Sequence, residues 1–446
     1  MVFLLKLLHN QLGILITPFI FIAALTGVLY GITPQLEALL YKTQLDAKPS
    51  ATQVSQPLSK QVNVAVHSLP RDTKIFSVRT PESPNQATRI LYQTKAEPAL
   101  MTAIFVNPYT LQIQGQLHVY GTSGILPLRT FLNHLHRSLL LGEYGRFYSE
   151  LAASWLGFFA LTGLLQWWIY RKKNVSSHTR HQKLRWHYYL GLVALPMLLF
   201  FSITGLTWSK WTGENITQLR HLLKSDTPSL NLNLLHQTTS LPADPHAEHH
   251  MHMDLSKPMH TPMLDLKKFD DIISIARDNG LMVSALQIKP SYNPDRAWSI
   301  EEMNHRWPIQ IDALAIDMTE HRIVDQIKFE DFPWSAKLTR WGVDLHIGVL
   351  FGWINQLILA ISATSIVLII FFAYKAWWSY QRPMTTLQLF NQTVIQSWRT
   401  LNLLQKLLFI LLLCSLYFLV PVWVISILVL HSLVFIAQFI GQKNNE

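Results

Sequence analysis

Four apolar stretches, each long enough to cross a bilayer, divide the chain. They run over about Leu12–Tyr30, Leu151–Tyr170, Leu190–Trp208 and Trp353–Tyr374, close to the ~20 residues an α-helix needs for a ~30 Å hydrocarbon core. Another apolar stretch follows Lys406 and is interrupted at Pro421. Its basic flanks, Lys406 and Lys443, predict a helical hairpin with two crossings rather than one long helix. The first stretch exceeds the roughly 7–15 residues of a signal h-region, and Gly31-Ile32-Thr33-Pro34 offers no small-x-small cleavage site, so it reads as a retained span.

Between the spans the pattern changes period. In the first polar region Lys74–Val78, Thr88–Tyr92 and Ala103–Val106 read as short strands, and Asn107-Pro108-Tyr109-Thr110 as a turn. In the second, Leu266–Asn279 reads as an amphipathic helix ended by Gly280, followed by strands at Val283–Ile288, Ala297–Ile300 and Gln310–Ile316. The expected fold class is a mainly α membrane protein: a duplicated four-helix transmembrane core, a C-terminal helical hairpin and two small α+β modules on the outer side. The expected segments are span one at 1–33, module one at 34–128, and an outer segment with span two at 129–172. A cytoplasmic loop at 173–186 and span three at 187–209 follow. Module two occupies 210–336 with an insert at 236–263, then an outer segment with span four at 337–382 and the extension at 383–446. Each module is too small for a large core, so packing against the other or the membrane face is expected to complete it.

The formal charge of +10, from 37 basic and 27 acidic residues, changes this picture little once it is located. With the N-terminus inside, the inner pieces hold Lys6, Arg171, Lys172, Lys173, Arg180, Lys183, Arg185, Lys375, Arg382, Arg399, Lys406 and Lys443 against the single acid Glu446. That is a positive-inside topology signal, not a nucleic-acid footprint. Cys414 is the only cysteine, which excludes a disulfide framework, thiolate iron–sulfur sites and covalent C-x-x-C-H haem.

The spans carry a repeat. His9, Gly13, Pro18, Thr26 and Gly27 recur at the same offsets as His187, Gly191, Pro196, Thr204 and Gly205. His136, Gly142, Trp167, Trp168 and Tyr170 recur as His346, Gly352, Trp377, Trp378 and Tyr380. Topology sorts the histidines into an inner pair, His9 and His187, and an outer pair, His136 and His346. Two imidazoles form a six-coordinate haem site suited to electron transfer, and two such sites would divide a ~30 Å crossing into short hops. The plainer alternative is that interfacial histidines reach to headgroups and the repeat records ancestry alone. The Thr-Gly pairs, Thr162-Gly163 included, read as close helix packing or as room for a flat macrocycle. The paired tryptophans read as interfacial anchors. A straight helix from His136 to Trp167 would span ~46 Å, so this segment must protrude or break, at Gly142 or Gly145. His134 is an alternative ligand to His136. Arg129, Arg137 and Arg340 are candidates to neutralise haem propionates or attract anionic chelates.

Joint patterns at Leu135–Trp168, Arg185–Leu206, Leu345–Ile354 and Val106–Gly115 resemble the PepSY-associated transmembrane family, and within it the iron-regulated inner-membrane ferric-siderophore reductases of Gram-negative bacteria. The resemblance covers about residues 1–382. It implies two haem b groups held non-covalently by His9, His187, His136 and His346, with PepSY modules facing a ferric siderophore in the periplasm. The activity implied is transmembrane metalloreduction in the bacterial inner membrane. Partners would be a quinol or protein electron donor, membrane lipids and siderophore-uptake components.

The insert lies outside that pattern. Its His246, His249, His250, His252 and His260 alternate with Met251, Met253, Met259 and Met263, a donor set suited to copper. It raises a copper-reducing or copper-handling alternative, against the reading of a solvated loop that chelates metals adventitiously. A membrane-tethered, non-enzymatic PepSY regulator is the third reading. No nucleophile triad, phosphate loop, flavin or nicotinamide fingerprint stands out.

Overall fold

The computed structural model describes residues 8–49, 52–70, 73–94, 97, 100–172, 178–234, 264–380, 394–396 and 398–443. In chain order, a π-helical turn Leu8–Leu12 leads into α1 Gly13–Gly31, α2 Thr33–Leu40, α3 Lys42–Leu45 and α4 Leu58–Ser68. Strands β1 Lys74–Arg79, β2 Thr88–Gln93, β3 Met101–Val106 and β4 Ile113–Val119 follow, then α5 Pro127–Ser138, α6 Arg146–Lys172, α7 His178–Thr207 and α8 Trp211–Leu222. Next come α9 Lys268–Asp278, β5 Leu286–Lys289, β6 Trp298–Glu302, β7 Ala313–Asp317 and β8 Arg322–Ile327. The chain continues with α10 Trp334–His346, α11 Trp353–Tyr380, α12 Leu403–Leu419 and α13 Pro421–Lys443. These form two compact units. One comprises Met1–Gly31, Leu132–Leu219 and Ile354–Glu446, the other Ile32–Phe131 and Arg220–Trp353.

The first unit is helical. Four of its helices are long and apolar enough to span a membrane, over Gly13–Gly31, Arg146–Ile169, Leu184–Thr207 and Trp353–Trp378. Their common core contains Leu12, Ile16, Ile20, Trp155, Leu198 and Ile366. Small residues let α6 and α7 approach closely. A Cβ on Gly157 would lie 2.4 Å from the Ser202 hydroxyl, which donates across the seam to the Ala153 carbonyl at 2.7 Å. Pro18 sits inside α1 and withholds the N–H that the Ile14 carbonyl would accept. The Tyr374 hydroxyl of α11 replaces it, donating to Ile14 O at 2.7 Å.

Helix α7 begins at His178, so the expected inner loop is partly helical; polar residues before Leu190 extend the helix beyond its apolar stretch. The long segment after His136 does break. Helix α5 stops at Ser138 and α6 starts at Arg146, with Leu139, Leu140 and Gly142 all left-handed between them. Gly145 is required there by contact, since a Cβ would lie 1.8 Å from Ser138 O. Glu150, fully buried, caps α8 by accepting from the Trp211 and Thr212 N–H groups at 3.1 and 3.2 Å and from the Thr212 hydroxyl at 2.7 Å. The C-terminal apolar stretch is two helices interrupted at Val420. Helix α13 packs on α6, where Trp155 donates to the Ser426 hydroxyl at 2.9 Å.

In the second unit the two small modules complete each other, and they do so through the backbone. Its strands form one eight-stranded antiparallel sheet in the order β4-β3-β2-β1-β5-β6-β7-β8. The halves join where Val78 pairs with Ile288 and Arg79 with Gln287. Each half alone would leave a buried strand with an open edge, and pairing β1 with β5 closes both. Helices α4 and α9 cover one face, over a core that includes Val62, Ile90, Ile104, Phe269, Ile288 and Leu314. Strands β4 and β8 escape the sequence reading because, at the sheet edges, they alternate only weakly between buried and exposed positions. The Asn107–Thr110 turn joins β3 to β4.

Candidate haem-binding site

The structure brings His9 and His187 together. His9 lies in the π-helical turn before α1 and His187 in the polar first third of α7. Their ring centroids are 6.3 Å apart and the planes nearly perpendicular, at 82°. Imidazole nitrogens bind a first-row metal at ~2 Å, so two rings on opposite sides of one ion have centroids roughly 6 Å apart. The separation fits a shared metal.

Hydrogen bonds fix which nitrogen of each ring is available. Thr162 on α6 donates its hydroxyl hydrogen to Phe158 O at 2.7 Å. Its oxygen can therefore only accept from His9 Nδ1, 2.9 Å away. The His187 Nδ1 lies 3.1 Å from the Ile369 carbonyl of α11, which is also only an acceptor. Both rings thus carry hydrogen on Nδ1 and keep the Nε2 lone pair, the arrangement by which an outer partner orients a metal-binding histidine. His9 Cε1 would lie 3.2 Å from a Cβ on Gly163, so the residue after the orienting threonine makes room for the ring.

The same device recurs at His136 on α5. Thr26 donates to Ile22 O at 2.8 Å and accepts from His136 Nδ1 at 2.9 Å, while a Cβ on Gly27 would lie 3.7 Å from His136 Cε1. Beyond close packing or room for a macrocycle, Thr26 and Thr162 therefore also orient histidines, a role the sequence reading did not assign. The signal was present, since the dipeptide recurs in the second half of three spans. His136, rather than His134, carries the Thr26 contact. His346 is the last residue of α10 and belongs to the sheet unit. Two of the candidate arginines are already engaged by carboxylates, Arg129 with Glu37 at 3.1 Å and Arg340 with Asp344 at 2.9 Å. Arg137 Nε is buried without an acceptor among the described residues.

Around His9 and His187 the helices α1, α6, α7 and α11 enclose a cavity with about 1640 Å³ of atom-free space, part of it open to the outside. Gly13 and Gly191, each one turn beyond its histidine, line this cavity. A Cβ added to either would meet nothing within 4 Å. Phe159, Leu195 and Ile370 supply apolar walls. Two imidazoles 6.3 Å apart, bare glycines and apolar walls fit a flat iron macrocycle. Trp167 and Trp377, expected only to anchor the interface, also line the cavity. Among the described residues no cluster of three or more His, Cys, Asp or Glu could hold a bare metal ion. His246, His249, His250 and His252 of the insert lie outside the described residues.

A family profile described as the PepSY-associated TM region matches residues 7–379. No curated protein matches the chain.

Proposed function

The chain belongs to the PepSY-associated transmembrane family, and from that premise we propose a bacterial inner-membrane di-haem b reductase that delivers electrons to a ferric siderophore in the periplasm. The observation that carries the reading is the His9–His187 pair, 6.3 Å apart with each Nδ1 held by an oxygen of another helix. When bound, a haem supplies a one-electron carrier whose iron cycles between two oxidation states. His9 and His187 would hold the inner group through Nε2, and Thr162 and the Ile369 carbonyl keep those rings from turning. The second haem rests on the sequence repeat that pairs His136 with His346 and on the Thr26 contact that fixes the His136 ring. The basic residues at the ends of the spans support an inside N-terminus, which makes the sheet unit periplasmic. The substrate chemistry is one electron added to chelated Fe(III). Release follows because Fe(II) is the softer ion and grips hard oxygen donors less tightly.

The test is the absorption spectrum of the purified protein. Sharp low-spin b-type bands that appear with dithionite, and fade when a ferric hydroxamate chelate is added, are expected. His9→Ala and His187→Ala should each lose about half the pigment. A colourless, fully folded preparation overturns the proposal and favours the regulator.

A further inference from the structure

Gln166 occupies the same face of α6 as the His9 partner, one turn beyond Thr162 and three residues beyond Gly163. It lines the His9–His187 cavity and is only 9% exposed. Its Nε2 is buried and meets no acceptor among the described residues. A buried amide donor without a partner is costly, and native interiors rarely leave one. No helix carbonyl or imidazole nitrogen among the described residues accepts from it. The amide is free to serve something that enters the cavity.

We propose that Gln166 is a hydrogen-bond donor to an oxygen acceptor of a cavity-bound molecule. The chemistry required is a carboxylate or carbonyl oxygen. Two sources supply it: the carboxylate arm of the macrocycle that His9 and His187 would hold, and the carbonyl of a quinone arriving from the lipid. The first rests on the haem reading above; the second does not. Either way Gln166 is a binding and positioning residue rather than a ligand to iron. Its position fits both, because it lies near the Trp167 end of the span, where a cavity among spanning helices meets the interface.

The test uses the full-length protein purified in detergent, with Gln166→Met and Gln166→Glu, both close to glutamine in size. Two quantities are read: the rate at which pigment transfers to apomyoglobin, and the Kd for menadione by calorimetry. If a carboxylate arm is the partner, Gln166→Glu repels it and pigment transfer quickens about tenfold or more, with a smaller rise in Gln166→Met and unchanged menadione binding. If a quinone carbonyl is the partner, both variants weaken menadione about tenfold while pigment transfer stays at the wild-type rate. Wild-type values for both quantities in both variants overturn the inference. A colourless wild-type protein whose menadione affinity still depends on Gln166 would sink the haem reading and leave this one standing.

Discussion

The Nδ1 of His9 lies 2.9 Å from the hydroxyl of Thr162, a residue 153 positions further along the chain and on another helix. Because that hydroxyl spends its hydrogen on Phe158 O, the contact decides the tautomer as well as the orientation of the ring.

Removing the hydroxyl should therefore loosen the metal site without unfolding the helix. Thr162→Val is expected to lower haem affinity about 10–100-fold, the usual cost of losing a partner behind a metal-binding histidine. Thr162→Ser should restore it. Pigment per polypeptide, with the position of the low-spin bands, gives the readout, and equal pigment in all three proteins would remove Thr162 from the site.

Gly13 and Gly191 separate folding from cofactor binding. Neither would bring a Cβ within 4 Å of another atom, so Gly13→Leu and Gly191→Leu should fold, and leucine favours the helix more than glycine does. Their side chains would project into the space proposed for the macrocycle. Pigment should fall about tenfold or more, while the unfolding temperature of the haem-free variants equals or slightly exceeds that of haem-free wild type. Full pigment in both variants would show that the cavity holds nothing flat against these helices.

At the α6–α7 seam the expectation is reversed. Gly157→Val forces a side chain against Ser202 and should destabilise the helical unit by about 1–3 kcal/mol through overpacking. Thermal unfolding in detergent measures it. Combining Gly157→Ala with Ser202→Ala should cost less than the sum of the single changes, because the two positions share one contact.

A pH effect is expected in the sheet unit. Burial lifts the Glu302 carboxyl above its ordinary value of 4.5, against a partial offset from the Val283 N–H it accepts at 3.1 Å. A raised folded-state value means that its contribution to stability is complete below the unfolded value and fades as pH climbs through the folded one. Glu302→Gln should flatten that decline above pH 4.5. An unchanged slope between wild type and variant would count against it.

Much of the helical unit was legible because its signals are local or periodic. Apolar runs mark the spans, and equal offsets single out His9 with His187 before any coordinates exist. The orienting groups were harder to see. Thr162 reveals its role only when α6 lies beside the turn that carries His9, and Ile369 contributes a backbone atom that no residue type announces. The joining of β1 to β5 was hidden for a related reason: strand patterning tells which face is buried, not which strand lies alongside. Gln166 looked like an ordinary polar residue near a span end until the space next to it was known.

The two rings of the inner pair are secured by unlike means, and this divides the freedom of the two positions. A carbonyl belongs to every residue, so position 369 can drift among helix-compatible apolar types without disturbing His187. Position 162 must keep an alcohol. A saturation library scored by colour should accept many substitutions at the first and almost none beyond serine at the second.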